Sequence, residues 1–512
     1  MLREKVAAAR LAPIAILLVS AFTLLWRIDG AVLWRDEATT SVWARAMVEH
    51  RTLVPRVFYD GQLMAQSPDG HDFNDGLVAS MQGWLQFYVA AASFWIFGAG
   101  TLAARLPFVL AGAVSLWLLY RAAREVTGSP LAALAAPLLG STSIYFLTAA
   151  RQARYYALVV LFTCLILVEL ARYLNDPRRA RSWGMHLRLA LWGLGTYLAN
   201  YVSFGGLWLA LGLWVLLRRD RDLLWRFAAV SAAMAVPIGW EFAAVHQQFV
   251  AGSPAAQRAN WPQYLDAIDY HWTELFRLIP LGAIAPAAWF LSRRQGGRPG
   301  MAALLASIIV VSPVATVAAG PLVAISRYYF QIVPALVLLA AILAARLWTL
   351  AGRGWSVAFF LFALVWPNLN FYHGWCVHAA ERQLTRDTAD SSIVEFLRAN
   401  AGPGETVAFH RNVQGMMAYF SLPQLRWVAL LDSDEPRLRP LRGKLPDSMF
   451  DDWEGVDWYV VWDNRGNMPK KLTPDYGLVW EHRYVEPQSW WDRKLPDRVL
   501  GYRVYRRTRK QS

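Results

Sequence analysis

The chain has 512 residues, only 17% of them charged, and a mean hydropathy of +0.26, which is too apolar for a soluble protein of this length. Its formal net charge of +14 does not signal nucleic acid, because the arginines fall in short clusters between apolar runs, where they set topology and meet anionic headgroups. Cys164 sits within an apolar run and Cys376 just past the last one, which excludes a disulfide framework and leaves neither with a metal-ligand neighbour.

Arg3, Lys5 and Arg10 precede the run Leu11 to Trp26, which lacks a small-residue cleavage site and reads as an uncleaved first span. A loop of unusual length for a polytopic protein follows, from about residue 29 to 105, and connections of that length are usually functional. It opens with Leu33-Trp34-Arg35-Asp36-Glu37-Ala38 and continues as a predicted helix through Met47. A carboxylate of Asp36 or Glu37, partly shielded where the chain leaves the membrane, is a candidate general base for a hydroxyl. The helix dipole also favours acidic residues in a first turn, and on spacing alone that is the plainer account.

The same loop holds Asp69, His71, Asp72 and Asp75 in a Gly/Pro/Asn-containing stretch. Clustered hard donors suit an acceptor or a divalent cation, although a solvated turn uses the same residues and explains them more simply. Trp84 to Phe97, bracketed by Gly83 and Gly98 and carrying Phe87, Tyr88, Phe94 and Trp95, is too short to span and is predicted to lie in the membrane interface.

Further apolar stretches at 104–121, 130–149, 155–174, 187–201, 203–217, 227–247, 272–292, 301–319, 327–345 and 355–373 bring the expected spans to about eleven, at about 20 residues per crossing. With the N-terminus inside and 84–97 not crossing, the clusters Arg121/Arg124, Arg178/Arg179/Arg181/Arg188, Arg218/Arg219/Arg221/Arg226, Arg293/Arg294/Arg298 and Arg346/Arg353 all fall on the cytoplasmic side. The short pair 187–201 and 203–217, with Asn200 to Gly206 as its turn, is kept as two helices because basic clusters flank both ends.

That topology places two cationic motifs at the outer ends of spans, Arg151-Gln152-Ala153-Arg154-Tyr155-Tyr156 and Ser326-Arg327-Tyr328-Tyr329. Arginine forks pair with phosphate oxygens, and several at one depth suit a lipid phosphate; a single such arginine is more often snorkelling to headgroups. Glu241 and His246 lie near an outer span end, where an ionisable group is a functional candidate unless it reaches water. The 26 tryptophans serve interfacial belts as readily as sugar stacking, and no phosphate-binding loop, dinucleotide fingerprint, zinc motif or nucleophile elbow is present, so nothing points to a soluble nucleotide cofactor. From about residue 390 charge and proline rise, and a helix over 391–400 with β-rich runs at 406–409, 458–462, 478–480 and 502–505 predicts a small extracytoplasmic α/β domain over 390–512, appended to a membrane domain over 1–375.

The order of these features resembles the GT-C superfamily of glycosyltransferases, in particular its protein O-mannosyltransferase-like and aminoarabinose-transferase-like bacterial members. The resemblance runs over residues 10–345. It rests on Trp34-Arg35-Asp36-Glu37-Ala38, the interfacial helix ending in Phe97-Gly98, Ala104-Arg105-Leu106-Pro107, Ala153-Arg154-Tyr155-Tyr156, and Ser326-Arg327-Tyr328-Tyr329 running on to Pro334-Ala335-Leu336. The His-Pro-Pro often found ahead of the interfacial helix is replaced by Met81-Gln82-Gly83-Trp84, and the acidic stretch 69–75 has no counterpart.

The resemblance implies a mainly α, polytopic bundle and an inverting transfer of sugar from a polyprenyl-phosphate donor to a glycan, lipid or protein acceptor on the outer face of the cytoplasmic membrane. It implies Asp36 as catalytic base, Glu37 as its partner in the acidic pair, and Arg154, Tyr155, Arg327, Tyr328 and Arg151 around the donor phosphate. A divalent metal stays open. The rival readings are a transporter or flippase, which would place charges at mid-span and show internal symmetry, a polymerase of lipid-linked glycans, and a non-catalytic scaffold.

Overall fold

The computed structural model describes residues 2–66, 70, 72–80, 82–246, 261–267, 300–319, 330–369, 389–410, 412–429, 431, 436–446, 449, 456–463, 475–485 and 499–508. In chain order the elements are α1 (Leu2–Leu25), α2 (Arg35–Glu49), β1 (Phe58–Tyr59), β2 (Gln62–Leu63), α3 (Leu85–Phe97), α4 (Thr101–Thr127), α5 (Pro130–Thr142), α6 (Ile144–Arg151) and α7 (Tyr155–Asn175). These are followed by α8 (Trp183–Ala199), α9 (Tyr201–Arg218), α10 (Arg221–Glu241), α11 (Met301–Ala319), α12 (Ile332–Leu350), α13 (Arg353–Leu369) and α14 (Ala389–Asn400). The last elements are β3 (Thr406–Phe409), α15 (Asn412–Ser421), β4 (Arg426–Val428), β5 (Trp458–Asp463), β6 (Tyr476–Val485) and β7 (Val499–Arg507).

The described residues form two compact units. One comprises residues 1–26, 108–243 and 254–371, the membrane unit; the other comprises 27–107, 244–253 and 372–512, the loop unit. The first loop, assigned from sequence to the membrane domain, thus clusters with the C-terminal segment.

Among the described residues, six helices are long and apolar enough to cross a membrane, α4, α7, α9, α10, α11 and α12. A seventh arises if α5 and α6 count as one crossing. The expected span 130–149 is these two helices, bent by 68° at Ser143, whose backbone is extended (φ −73°, ψ 120°) and ends the α5 hydrogen-bond ladder. The stretch 272–292 lies outside the described residues, as does the start of 327–345. The separation of 187–217 into two helices is present, with a tighter turn than expected. Asn200 alone forms it, its side-chain oxygen accepting the Ser203 N–H at 2.8 Å as the cap of α9. Residues 85–97 form a helix of 13 residues, about 20 Å long and too short to cross. Small residues bring helices of the membrane unit close: a side chain on Gly112 would strike Ala150, and one on Gly195 would strike Phe162.

The loop unit contains a five-stranded sheet in the order β4-β3-β5-β7-β6. β3 pairs parallel with β4 and β5, while β7 pairs antiparallel with β5 and β6. Ala408, Val456, Tyr459, Val461 and Tyr505 form its buried cluster. The sequence anticipated four of the five strands and helix α14; it missed α15, β4 and the β1–β2 hairpin. Gly415 on α15 allows that helix to lie directly on the Trp427 ring, since an added Cβ would fall inside it. Trp427 in turn donates from Nε1 to the Leu63 carbonyl at 3.1 Å, and its N–H donates to Gln62 at 3.3 Å, so the hairpin and the sheet share one aromatic anchor. Gly415→Val should therefore destabilise the full-length protein by about 1–3 kcal/mol through overpacking, read as a lowered melting temperature in detergent.

Candidate functional site

In the loop unit, the two carboxylates singled out by the sequence, Asp36 and Glu37, sit on the first turn of α2. That helix is buried on all sides from Asp36 to Met47. Glu37 is the third helical residue, so its carboxylate reaches back to the Trp34 N–H (3.4 Å), satisfying one of the amides a helix start leaves without a partner. Both Glu37 oxygens also accept from Arg105, at 3.0 Å from Nε and 2.8 Å from Nη2, in a fork-to-carboxylate pair with Glu37 fully enclosed. The rest of the Arg105 guanidinium donates to the carbonyls of Ile28 (2.8 Å), Ala31 (3.1 Å) and Val32 (3.2 Å). The segment entering α2 and the start of α4 are thereby tied together.

The two acidic residues thus divide. Glu37 is fully engaged as an anchor, while Asp36 keeps 9% of its surface accessible beside it, on a turn that the Glu37–Arg105 pair immobilises. Arg35, preceding it, stacks its guanidinium over the Trp462 ring at 4.4 Å. Burial pulls the Arg35 pKa down, but the charge of Asp390 and the contact with Tyr502 more than offset this and hold it above the ordinary guanidinium value.

Of the acidic stretch in the loop, Asp72 is fully buried, accepts the Gln66 N–H on Oδ2 and closes the loop through its carbonyl on Ser80 N–H (2.9 Å). Asp75 is exposed, and its carbonyl accepts from Lys444 Nζ at 3.0 Å. Asp69 and His71 lie outside the described residues. Among the described residues, no three His, Cys, Asp or Glu side chains are grouped to hold a metal ion.

In the membrane unit, Arg151 ends α6 and donates from Nη1 and Nη2 to the carbonyls of Thr23 (2.9 Å) and Trp26 (2.6 Å), placing its charge at the C-terminal end of α1. Arg154 occupies the position just before α7, is 2% exposed, and lies over the rings of Tyr155 (5.3 Å) and Tyr156 (5.8 Å). Tyr156 packs against Phe330 at 4.7 Å between ring centroids, so the Arg-Tyr-Tyr motif before α7 meets the residue that directly follows Ser326-Arg327-Tyr328-Tyr329. Arg327 and Tyr328 themselves lie outside the described residues.

Sequence reasoning missed two glutamines here. Gln152 and Gln331 are fully buried, and among the described residues neither amide group has a hydrogen-bond partner, a condition costing about 1–3 kcal/mol each. Gln152 lies inside the first motif and Gln331 directly after Phe330, so each sits beside a residue the motifs singled out. Glu241, by contrast, accepts from the Tyr197 hydroxyl, and the side chain of His246 is outside the described residues. Arg105 was present in the sequence as part of a motif, but its partner was not. Like Arg154, Arg105 lies at the outer end of a span in the topology expected from sequence, where a cation is disfavoured.

Residues 82–240 match the profile of the dolichyl-phosphate-mannose-protein mannosyltransferase family. Among solved structures, the chain is similar to that of ArnT from Cupriavidus metallidurans bound to undecaprenyl phosphate, at 15% identity over 96% of this chain and 97% of that one, with a TM-score of 0.57. The apo structure of the same protein matches at 16% identity over 98% of both chains, with a TM-score of 0.56. No curated protein sequence gives a match. The chain shares the fold of ArnT.

Breaking the Glu37–Arg105 pair should cost about 3–5 kcal/mol, because it strands a buried charge. Glu37→Ala and Arg105→Met should each lower the unfolding free energy of the full-length protein by that order. The double variant should lose less than the sum of the two, the signature of a direct pair.

Proposed function

We propose that the chain is a multi-pass membrane glycosyltransferase of the GT-C type that transfers a sugar from a polyprenyl-phosphate carrier to a glycan, lipid or protein hydroxyl on the outer face of the cytoplasmic membrane, inverting the anomeric carbon. The orientation is N-terminus cytoplasmic and C-terminal segment extracytoplasmic, which puts the basic clusters between spans inside. Asp36 takes the proton of the acceptor hydroxyl as that oxygen attacks the anomeric carbon. The bond from that carbon to the phosphate oxygen breaks, and the lipid phosphate leaves with the electron pair. Arg154 and Arg327, with Tyr155 and Tyr328, bind the phosphate and neutralise its developing charge, and Arg151 adds positive charge beside Arg154.

The observation that carries this reading is the position of Asp36. It keeps 9% of its surface accessible on a helix turn that the Glu37–Arg105 pair and the Trp34 N–H bond immobilise. The undecaprenyl phosphate bound to a protein of the same fold supports a polyprenyl carrier as the donor lipid. Asp69, His71, Asp72 and Asp75 are assigned to the acceptor or a divalent cation, with Asp72 also accepting the Gln66 N–H.

Asp36→Asn should abolish transfer, lowering kcat about 10²–10⁴-fold, the usual contribution of a positioned base, while the melting temperature stays near that of the wild type. Arg154→Gln should act differently, raising the donor KM about 10- to 100-fold through loss of charge-assisted hydrogen bonds. Steady-state kinetics with a polyprenyl-phosphate sugar separates the two.

A further inference from the structure

Helix α2 is fixed within the loop unit at both of its ends by arginines that reach the C-terminal segment. At the first turn, Arg35 lies flat over Trp462 on β5 at 4.4 Å, and its Nε and Nη2 are shielded from solvent. The Tyr502 hydroxyl on β7 donates to Asp390 Oδ1 on α14 at 2.7 Å, and both of those residues act on the same guanidinium. Trp462 and Tyr502 are cross-strand partners in the β5–β7 ladder, with ring centroids 4.6 Å apart, so the surface under Arg35 is the rigid centre of the sheet.

Ten residues further along, about 15 Å up the helix, Arg45 donates from Nη1 to the Phe420 carbonyl at 3.2 Å and lies over the Tyr419 ring at 4.9 Å, at the end of α15. A helix held at one end can pivot; one held at both cannot. Surface arginines cost side-chain entropy to order and are rarely enclosed unless paired, so two of them on one 15-residue helix, each turned toward the C-terminal segment, need a reason beyond solubility. The residue that gains a fixed position is Asp36, immediately after Arg35.

We propose that Arg35 is a positioning residue for the transfer reaction: stacked on Trp462 and held by Asp390 and Tyr502, it makes the C-terminal sheet the platform that orients the turn bearing Asp36. This rests on the reading of Asp36 as the base. It assigns the C-terminal segment a catalytic task distinct from acceptor binding. It also explains why the first loop and residues 372–512 form a single compact unit. Arg105 fixes the same turn through Glu37, so Arg35 supplies orientation on top of an anchor that survives its loss.

The test uses the full-length protein with a polyprenyl-phosphate sugar donor. Arg35→Ala should lower kcat about 10- to 100-fold, the scale expected when a base is displaced by about 1 Å, with the donor KM unchanged. Hydrogen exchange over residues 35–49 should quicken. Arg35→Lys, which keeps the charge near Asp390 but loses the planar stack, should fall between the two. Tyr502→Phe, a milder change that removes one hydroxyl, should lower kcat about two- to tenfold and guards against Arg35→Ala failing to fold. If either variant folds with kcat within twofold of the wild type on its own expected fall, or if exchange over 35–49 is unchanged in Arg35→Ala, the positioning role is overturned. Asp36→Asn is measured alongside. If it retains activity, the reading of the base fails instead, whereas the exchange result still reports on the clamp.

Discussion

Arg105 binds both oxygens of Glu37 and the carbonyls of Ile28, Ala31 and Val32, and so ties the entry of the first loop and the first turn of α2 to the start of α4. A charge of this kind, fully enclosed, is tolerable only when every donor is answered, and Arg105 is surrounded by acceptors drawn from the chain's exit after α1 and from the first turn of α2. The consequence is asymmetric for the acidic pair. One carboxylate becomes structure, and its neighbour stands on the turn that it fixes. Fixed geometry is what a catalytic group at that position needs.

The second constraint is aromatic. Arginine guanidinium planes recur on rings in both units: Arg35 on Trp462, Arg45 on Tyr419, Arg154 on Tyr155 and Tyr156. Such stacking shields a cation from water while keeping its edge free to donate, which suits residues that must be buried and still meet an anion or a carbonyl. Trp427, under Gly415 and bonded to Gln62 and Leu63, does the same joining work without a charge.

Local features of this architecture were legible because they depend on neighbours in sequence. The polar break at Asn200 separates two short helices, the glycine-bounded Trp84 to Phe97 run forms a 13-residue helix, and Thr406 to Phe409 is a strand with the bounds its composition implied. Hydropathy did not reveal the 68° bend at Ser143, because an extended serine between two apolar helices leaves composition unchanged. Nor could it place partners. Arg105 and Glu37 are 68 positions apart, and Arg35 and Trp462 lie at opposite ends of the chain. The grouping of the first loop with the C-terminal segment follows from those long-range contacts and leaves no periodic trace. Of the candidate site, the residue types and their order were readable at Asp36, Glu37, Arg151 and Arg154; which carboxylate is anchored, and that Arg151 is spent on the α1 carbonyls, required coordinates.

The central claim is chemical: a single displacement at an anomeric carbon, with a lipid phosphate as leaving group. It is tested most directly by incubating the purified protein with a panel of polyprenyl-phosphate sugars of known anomeric configuration and an acceptor extract, following lipid products by mass spectrometry and the new linkage by NMR. The account predicts release of one free polyprenyl phosphate per sugar transferred, with the anomeric configuration inverted. Retention of configuration, or transfer without release of the lipid phosphate, would contradict it.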